Sequence, residues 1–393
     1  MKALKKISII IAVALVLMLF ADSFIVTALK DRAIVLGMGI DYENDEFNII
    51  CEVISSSQSS SQSSEGGSGG GFTKLVTGKG KTISLAVYDV YAKTGKLPSL
   101  GQCGVIILGE SLYKEESLVQ CLSYFLQSDA YRDSSLVTCC KGSAKDLYTK
   151  VTPLDTSVSF AVQTIITGSE HNTGIPYSYM ARFISLQLTP SASDYLTVIS
   201  FDSEKETTGG GDNKDTGFFI ADDVAIFRDF KFVEELSEDE TKGLTLLNVP
   251  ASFDTFVVND LEATQSLPKT VGIGIRSKKV KKELNFNENG KITYDVKIYV
   301  RAERMRTDTT GDVISFIPKE KSELTDFMQK QLRQQITDSV FAAFSKLTET
   351  NCDYLGISNE YYRKYGKKWV RFQQGFENVF EKIRFSVEVI IDK

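Results

Sequence analysis

The stretch SFIVTALKDRAIVLGMGID, residues 23–41, ends an apolar N-terminal run and opens into a Gly-x-Gly sequence. Glycines at that spacing cradle a phosphate when they lead from a strand into a helix whose N-terminus faces the anion. Here RAIVLGMGID has the apolar content of a buried strand, and YENDE turns the chain. Phe47, Ile49, Cys51 and Val53 then recur at period two, the mark of a second strand. No helix follows the glycines, so a dinucleotide fingerprint is excluded. The stretch reads as the first strand of an exported body.

What precedes it supports export. MKALKK places three lysines ahead of a run, Ile7 to Leu29, that is almost wholly apolar, with Asp22, Ser23 and Thr27 among its interruptions. As a helix that run measures ~34 Å, enough to cross a hydrocarbon core of ~30 Å. Lysines before it favour an orientation with the N-terminus inside and everything after residue 30 outside. VTA at 26–28 offers a small-residue cleavage site, so a cleaved signal peptide is the alternative to a retained anchor. Retention is the expectation. No second long apolar stretch occurs.

Downstream, the pattern is α+β: an exported, multi-domain protein of mixed sheets with packed helices, after one N-terminal apolar helix. Residues 1–29 form the signal or anchor. Residues 30–202 form an N-terminal α/β domain. Inside it SSSQSSSQSSEGGSGGG, 55–71, is expected to be a flexible loop, since it has too little apolar surface to offset ordering entropy. A helix with Ile83, Ala86, Val87, Val90 and Tyr91 on one face follows. Then come a buried strand at 103–110, a second helix with Leu118, Val119, Leu122, Phe125 and Leu126, the strand SLVTCC, and a short helix in GSAKDLYTKV. Residues 203–216 are a linker or loop, and 217–268 a small middle domain with strands and an acid-started helix. Residues 269–393 form a C-terminal α+β domain. It has a hairpin turn at Asn289-Gly290, a strand alternating from Ile292 to Val300, a long helix over 322–348 and a final strand ending near Ile391.

The net charge of −6 gives no general electrostatic drive toward nucleic acid or an anionic membrane surface. The basic cluster RSKKVKK at 276–282 reads as surface lysines on a strand. With His171 the only histidine, multi-histidine metal sites are ruled out, and GSEHNTG around it reads as a solvated loop. The six cysteines, Cys51, Cys103, Cys121, Cys139, Cys140 and Cys352, form no C-x-x-C unit and read as buried free thiols. Carboxylate pairs at Glu115-Glu116, Asp222-Asp223 and Glu234-Glu235 have no acid–base context and read as solvated surface. No P-loop, G-x-S-x-G or H-E-x-x-H occurs. The expectation is no catalytic, cofactor-binding or metal site, and no enzyme. The aromatic group Tyr361, Tyr362, Tyr365 and Trp369 reads as core, packed with Phe372 against the long helix, with a partner surface as the other reading.

Four segments taken in order resemble the Ger(x)C family, the C subunits of nutrient germinant receptors in spore-forming bacteria. They are DRAIVLGMGID, the run from GVIILGESLYKEESLVQ to GSAKDL, VAIFRDFKFVEELSEDETKGLTLL, and the closing DYLGISNEYYRKYGKKWVRFQQGFENVFEKIRFSVEVII. The resemblance implies a non-catalytic exported subunit of three mixed α/β domains. It would act beside a membrane-embedded A-type subunit and a polytopic B-type subunit, on the outer face of the spore inner membrane, in nutrient-triggered germination. One departure stands out. Family members enter the mature chain at a lipobox cysteine, whereas here no cysteine precedes Cys51, so the usual diacylglyceryl attachment has no acceptor. A small-ligand-binding or signalling ectodomain unrelated to germination is the competing reading.

Overall fold

A computed structural model describes residues 31–54, 73–115, 118–127, 131–153, 155–172, 175–203, 216–248, 255–259, 270–286, 291–305 and 324–392. The expected span at 7–29, the loop at 55–71, most of 203–216 and the Asn289-Gly290 turn lie outside these residues.

The opening stretch forms β1 (Arg32–Glu43), and the turn at 44–45 returns it antiparallel into β2 (Glu46–Ile54), with Gly39 opposite Ile50. Asn44 and Asp45 both have positive φ, the conformation a tight two-residue turn requires. β3 (Thr73–Gly80) adds to β2 and forms the sheet edge. Helix α1 (Ile83–Thr94) starts where Thr82 Oγ1 accepts the Leu85 N–H at 3.2 Å and stops at Gly95 with φ 64°. A short β4 (Leu97–Ser99) then runs parallel to β1, Leu97 opposite Arg32.

The remaining strands build outward from the other side of β1. β5 (Val105–Leu108), β6 (Leu136–Cys140) and β8 (Ser193–Ser203) succeed one another in parallel. Their crossovers carry α2 (Glu110–Tyr113), α3 (Leu118–Gln127), α4 (Ala144–Tyr148), α5 (Val158–Asn172), the two-residue β7 (Ser178–Tyr179) and α6 (Met180–Gln187). His171 lies in the last turn of α5, where the sequence had suggested a loop. β9 (Gly217–Arg228) pairs antiparallel with β8 from Ser203–Gly217 onward, and β10 (Lys231–Leu236) follows as the other edge. The resulting order is β10-β9-β8-β6-β5-β1-β2-β3 in a ten-stranded sheet.

A second, four-stranded sheet has the order β11-β12-β13-β14. β11 (Thr255–Asn259), β12 (Thr270–Phe286) and β13 (Ile292–Arg304) are antiparallel, while β14 (Ile383–Asp392) lies parallel to β13. A parallel return needs a crossover, and α8 (Asp326–Thr350), α9 (Ile357–Tyr365) and α10 (Lys367–Gln373) supply it. α8 buries Met328, Leu332, Ile336, Val340, Ala343 and Leu347, while Phe327 and Phe341 remain about two-fifths exposed.

The segment 217–268, read as a separate middle unit, is divided between these sheets. Its first two strands complete the large sheet, β11 joins the small one, and α7 (Glu238–Asn248) packs on α8 through Gly243. Backbone pairing explains the division. Without β9, the whole length of β8 would present unpaired N–H and C=O groups at an open edge. The three domains expected by resemblance and composition place their strands in two sheets.

One face of the large sheet is covered by α1, α2, α3 and α6. The other face, with α4 and α5, joins a core that continues through α7 and α8 into the small sheet. The two halves share apolar interior.

Candidate functional site

The Gly-x-Gly of the opening stretch has a steric use. A Cβ at Gly37 would stand 2.2 Å from Ser159 Oγ and 2.7 Å from the Tyr148 hydroxyl. At Gly39 it would meet Ile50 at 2.8 Å and Ala144 at 3.0 Å. The glycines let α4 and α5 sit directly on β1. The same two helices are capped by buried carboxylates from the first hairpin. Asp41 accepts the Ala144 N–H at 2.8 Å, the Lys145 N–H at 3.0 Å and the Ser143 hydroxyl at 2.8 Å. Glu52 accepts the Ser159 N–H and the Ser157 hydroxyl, each at 2.9 Å, and the Thr73 hydroxyl at 2.8 Å. Helix N-termini offer unpaired donors and a positive dipole end, so both charges are matched.

The other concentration of buried polar groups lies where the two sheets meet. A cavity of about 410 Å³ is lined by Arg182, Asp194, Asn248, Asp353, Glu360 and Arg363, among others. Asp194 sits 3.2 Å from Arg182 Nη2, and that guanidinium also packs over the Tyr195 ring. Burial raises the Asp194 carboxyl to about 6 against the pull of Arg182. Asp353 accepts the N–H groups of Ile357 at 2.7 Å and Ser358 at 2.9 Å, capping α9. Burial outweighs those donors and raises its carboxyl to about 7. Glu360 accepts Lys282 Nζ at 2.8 Å and the Tyr294 hydroxyl at 3.0 Å. Of the basic run on β12, Lys282 is thus tied inward, and Lys278 Nζ reaches the Thr245 carbonyl.

A second cavity, about 320 Å³, opens beside it and is lined by Ala192, Arg228, Asp229, Asn351, Gln374 and Phe376, among others. Ala192, Asp229 and Asn351 all have positive φ. Asp229 and Asn351 directly follow β9 and α8, Ala192 directly precedes β8, and the Asp229 N–H donates to the Ala192 carbonyl at 2.8 Å. Arg228 Nη1 donates to the Asn351 carbonyl at 3.0 Å, joining β9 to the end of α8. Lys346 on α8 bridges back to Glu234 on β10 at 3.1 Å and to Glu240 at 3.6 Å.

The sequence-flagged carboxylate pairs fall elsewhere. Asp223 pairs with Lys141, and Glu235 accepts the Tyr113 hydroxyl at 3.3 Å. With Glu234 held by Lys346, these side chains stay partly exposed at the surface while forming ion pairs and hydrogen bonds. The side chains of Glu116, Asp222 and His171 lie outside the described set. All six cysteines are free and buried. Desolvation holds Cys103 and Cys352 up at about 12, so both stay as thiols. Among the described residues no three His, Cys, Asp or Glu side chains group as metal ligands. The junction carboxylates accept bonds that hold loops and helix ends in place, and the sequence held no sign of their convergence. Asp194 and Asp353 are far apart in the chain and lie in no motif.

Trp369 is fully buried in the small-sheet half and stacks with Phe372 at 5.9 Å, as expected, and it has further partners that were not read in the sequence. It stacks on Tyr361 with centroids 4.4 Å apart, meets Phe286 edge-on at 5.6 Å, and donates Nε1–H to Ser358 Oγ at 2.8 Å. Tyr362 is exposed.

The fold therefore defines an α+β protein of two sheets sharing one core, with its buried charges concentrated at helix caps and at the junction. The chain belongs to the Ger(x)C family of spore germination proteins. Residues 26–201 match the family described as spore germination protein N-terminal domain, and 222–392 match spore germination B3/GerAC like, C-terminal. A solved structure described as the crystal structure of the GerBC protein is similar at 19% identity and a TM-score of 0.48. The alignment covers 91% of this chain and 97% of that one. No curated protein matches the sequence.

Proposed function

We propose that this chain is the C subunit of a nutrient germinant receptor, a non-catalytic part of a membrane complex that supports spore germination. The observation that carries the reading is the pair of family matches, which together run from residue 26 to 392. The arrangement of polar groups is compatible with an assembly role, because the buried carboxylates described above are committed to caps and ion pairs. In this reading residues 7–29 stay attached as the anchor that replaces the missing lipobox cysteine. The body then stands on the outer face of the spore inner membrane beside A-type and B-type subunits.

Affinity purification of the tagged full chain from spores tests the complex. Recovery of an A-type and a B-type subunit is expected, and recovery of the chain with neither would overturn the reading. Intact-mass measurement of the membrane-extracted protein tests the anchor. A mature N-terminus at Leu29 would show that the segment is removed.

A further inference from the structure

Helix α1 has two faces, and only one meets the sheet. Ile83, Ala86 and Val90 are buried against the large sheet. A solvated helix would place charged and polar side chains opposite them. Instead Leu85, Tyr88 and Tyr91 occupy the outward side at 52%, 63% and 40% exposure, and the two tyrosine rings are 6.0 Å apart. Leu97, just beyond the helix, is 49% exposed.

This apolar side lies at a particular end of the body. Leu97 pairs with Arg32 at the start of β1, so the C-terminal end of α1 adjoins the point where the chain enters the sheet. The apolar N-terminal run ends at Leu29. Three residues of extended chain reach at most about 10 Å. If residues 7–29 span the bilayer, covalent geometry keeps this end of the body within about that distance of the membrane surface. Tyrosine is a side chain suited to such a boundary, apolar in its ring and hydrogen-bonding at its tip. Lys93, whose ammonium is held by Asp89 at 2.7 Å, and exposed Lys74 lie at the same end.

We infer that the outward face of α1, with Leu85, Tyr88, Tyr91 and Leu97, rests in the headgroup region of the bilayer and fixes how the body stands on the membrane. The inference rests on the anchored reading above. It assigns to lipid a surface that would otherwise be an exposed apolar patch on a helix layer.

The test uses the full chain in vesicles of phosphatidylglycerol and phosphatidylethanolamine. All six native cysteines are buried, so a nitroxide placed through Tyr88→Cys or Tyr91→Cys labels one site. Tyr362→Cys on α9, exposed at 42% in the other half, is the reference. Labels at 88 and 91 are expected to collide with oxygen several-fold more than with a water-soluble nickel chelate, relative to 362. Chain that floats with the vesicles while labels 88, 91 and 362 are equally open to the chelate overturns the lipid contact and leaves the anchor intact. Chain that does not float overturns both. Protection at 88 that appears only with A-type and B-type subunits present assigns the face to protein, and spin–spin broadening at 88 assigns it to a second copy. Either outcome overturns the lipid assignment.

Discussion

At Gly37 one missing methyl group decides how closely a helix can lie on a strand. A Cβ there would stand 2.2 Å from Ser159 Oγ, on a residue whose N–H is already committed to Glu52. Gly37→Ala is expected to destabilise the protein by about 1–3 kcal/mol, as overpacking does, measured as a lower denaturant midpoint at unchanged slope. An unchanged midpoint would mean that α5 can retreat without cost. Trp369 tests the opposite error, too little volume. Trp369→Ala should cost about 3–5 kcal/mol, and the wild-type fluorescence should be blue-shifted as befits a fully buried indole. Asp353 adds a dependence on pH. Its carboxyl binds a proton more tightly in the folded state, at about 7, than in an unfolded chain, at about 3.9. Between those values the native state holds more protons, so stability falls as pH rises from about 4 to 7. Asp353→Asn should flatten that decline, read from urea midpoints across the window. A variant that keeps the wild-type slope would place the titration elsewhere.

Elements with a clean period were legible in the sequence. The alternation at 47–53 and 292–300 became β2 and β13, and the acid-started pattern became α7, with Glu238, Asp239 and Glu240 in its first turn. Strand partners were less legible, because alternation tells which face a residue takes and not which edge it joins. β9 and β10 are the case in point. α5 was overlooked although Val158, Ala161, Val162 and Ile166 keep helical spacing and are buried. Its β-branched content weakens the helical signal. Close approach between elements was also unreadable beforehand. On α7, a Cβ at Gly243 would lie 2.1 Å from the Ser339 carbonyl and 2.7 Å from Ala343. A larger residue there has only the backbone of α8 to push against. Gly243→Val is therefore expected to lower the melting temperature by several degrees, with a loss of about 1–3 kcal/mol. Melting at the wild-type temperature would show that α7 and α8 are free to separate.

Across the whole molecule, the two sheets share one core and are stitched by Arg228 to Asn351 and by Lys346 to Glu234. Trp369 reports only on the small-sheet half, whereas far-UV circular dichroism reports on both. The two signals should lose structure in one coincident thermal transition, and transitions separated by more than a few degrees would show that the halves unfold independently. The closing strand extends this argument from the finished molecule to its making. β14 is the last ten described residues, it pairs along nearly all of β13, and its Phe385 stacks on Phe344 of α8 at 4.2 Å. A chain that emerges N-terminus first cannot seal the small sheet until β14 has been translated. Until then β13 is an open edge, and a premature stop ahead of or within β14 should behave genetically like a much earlier one.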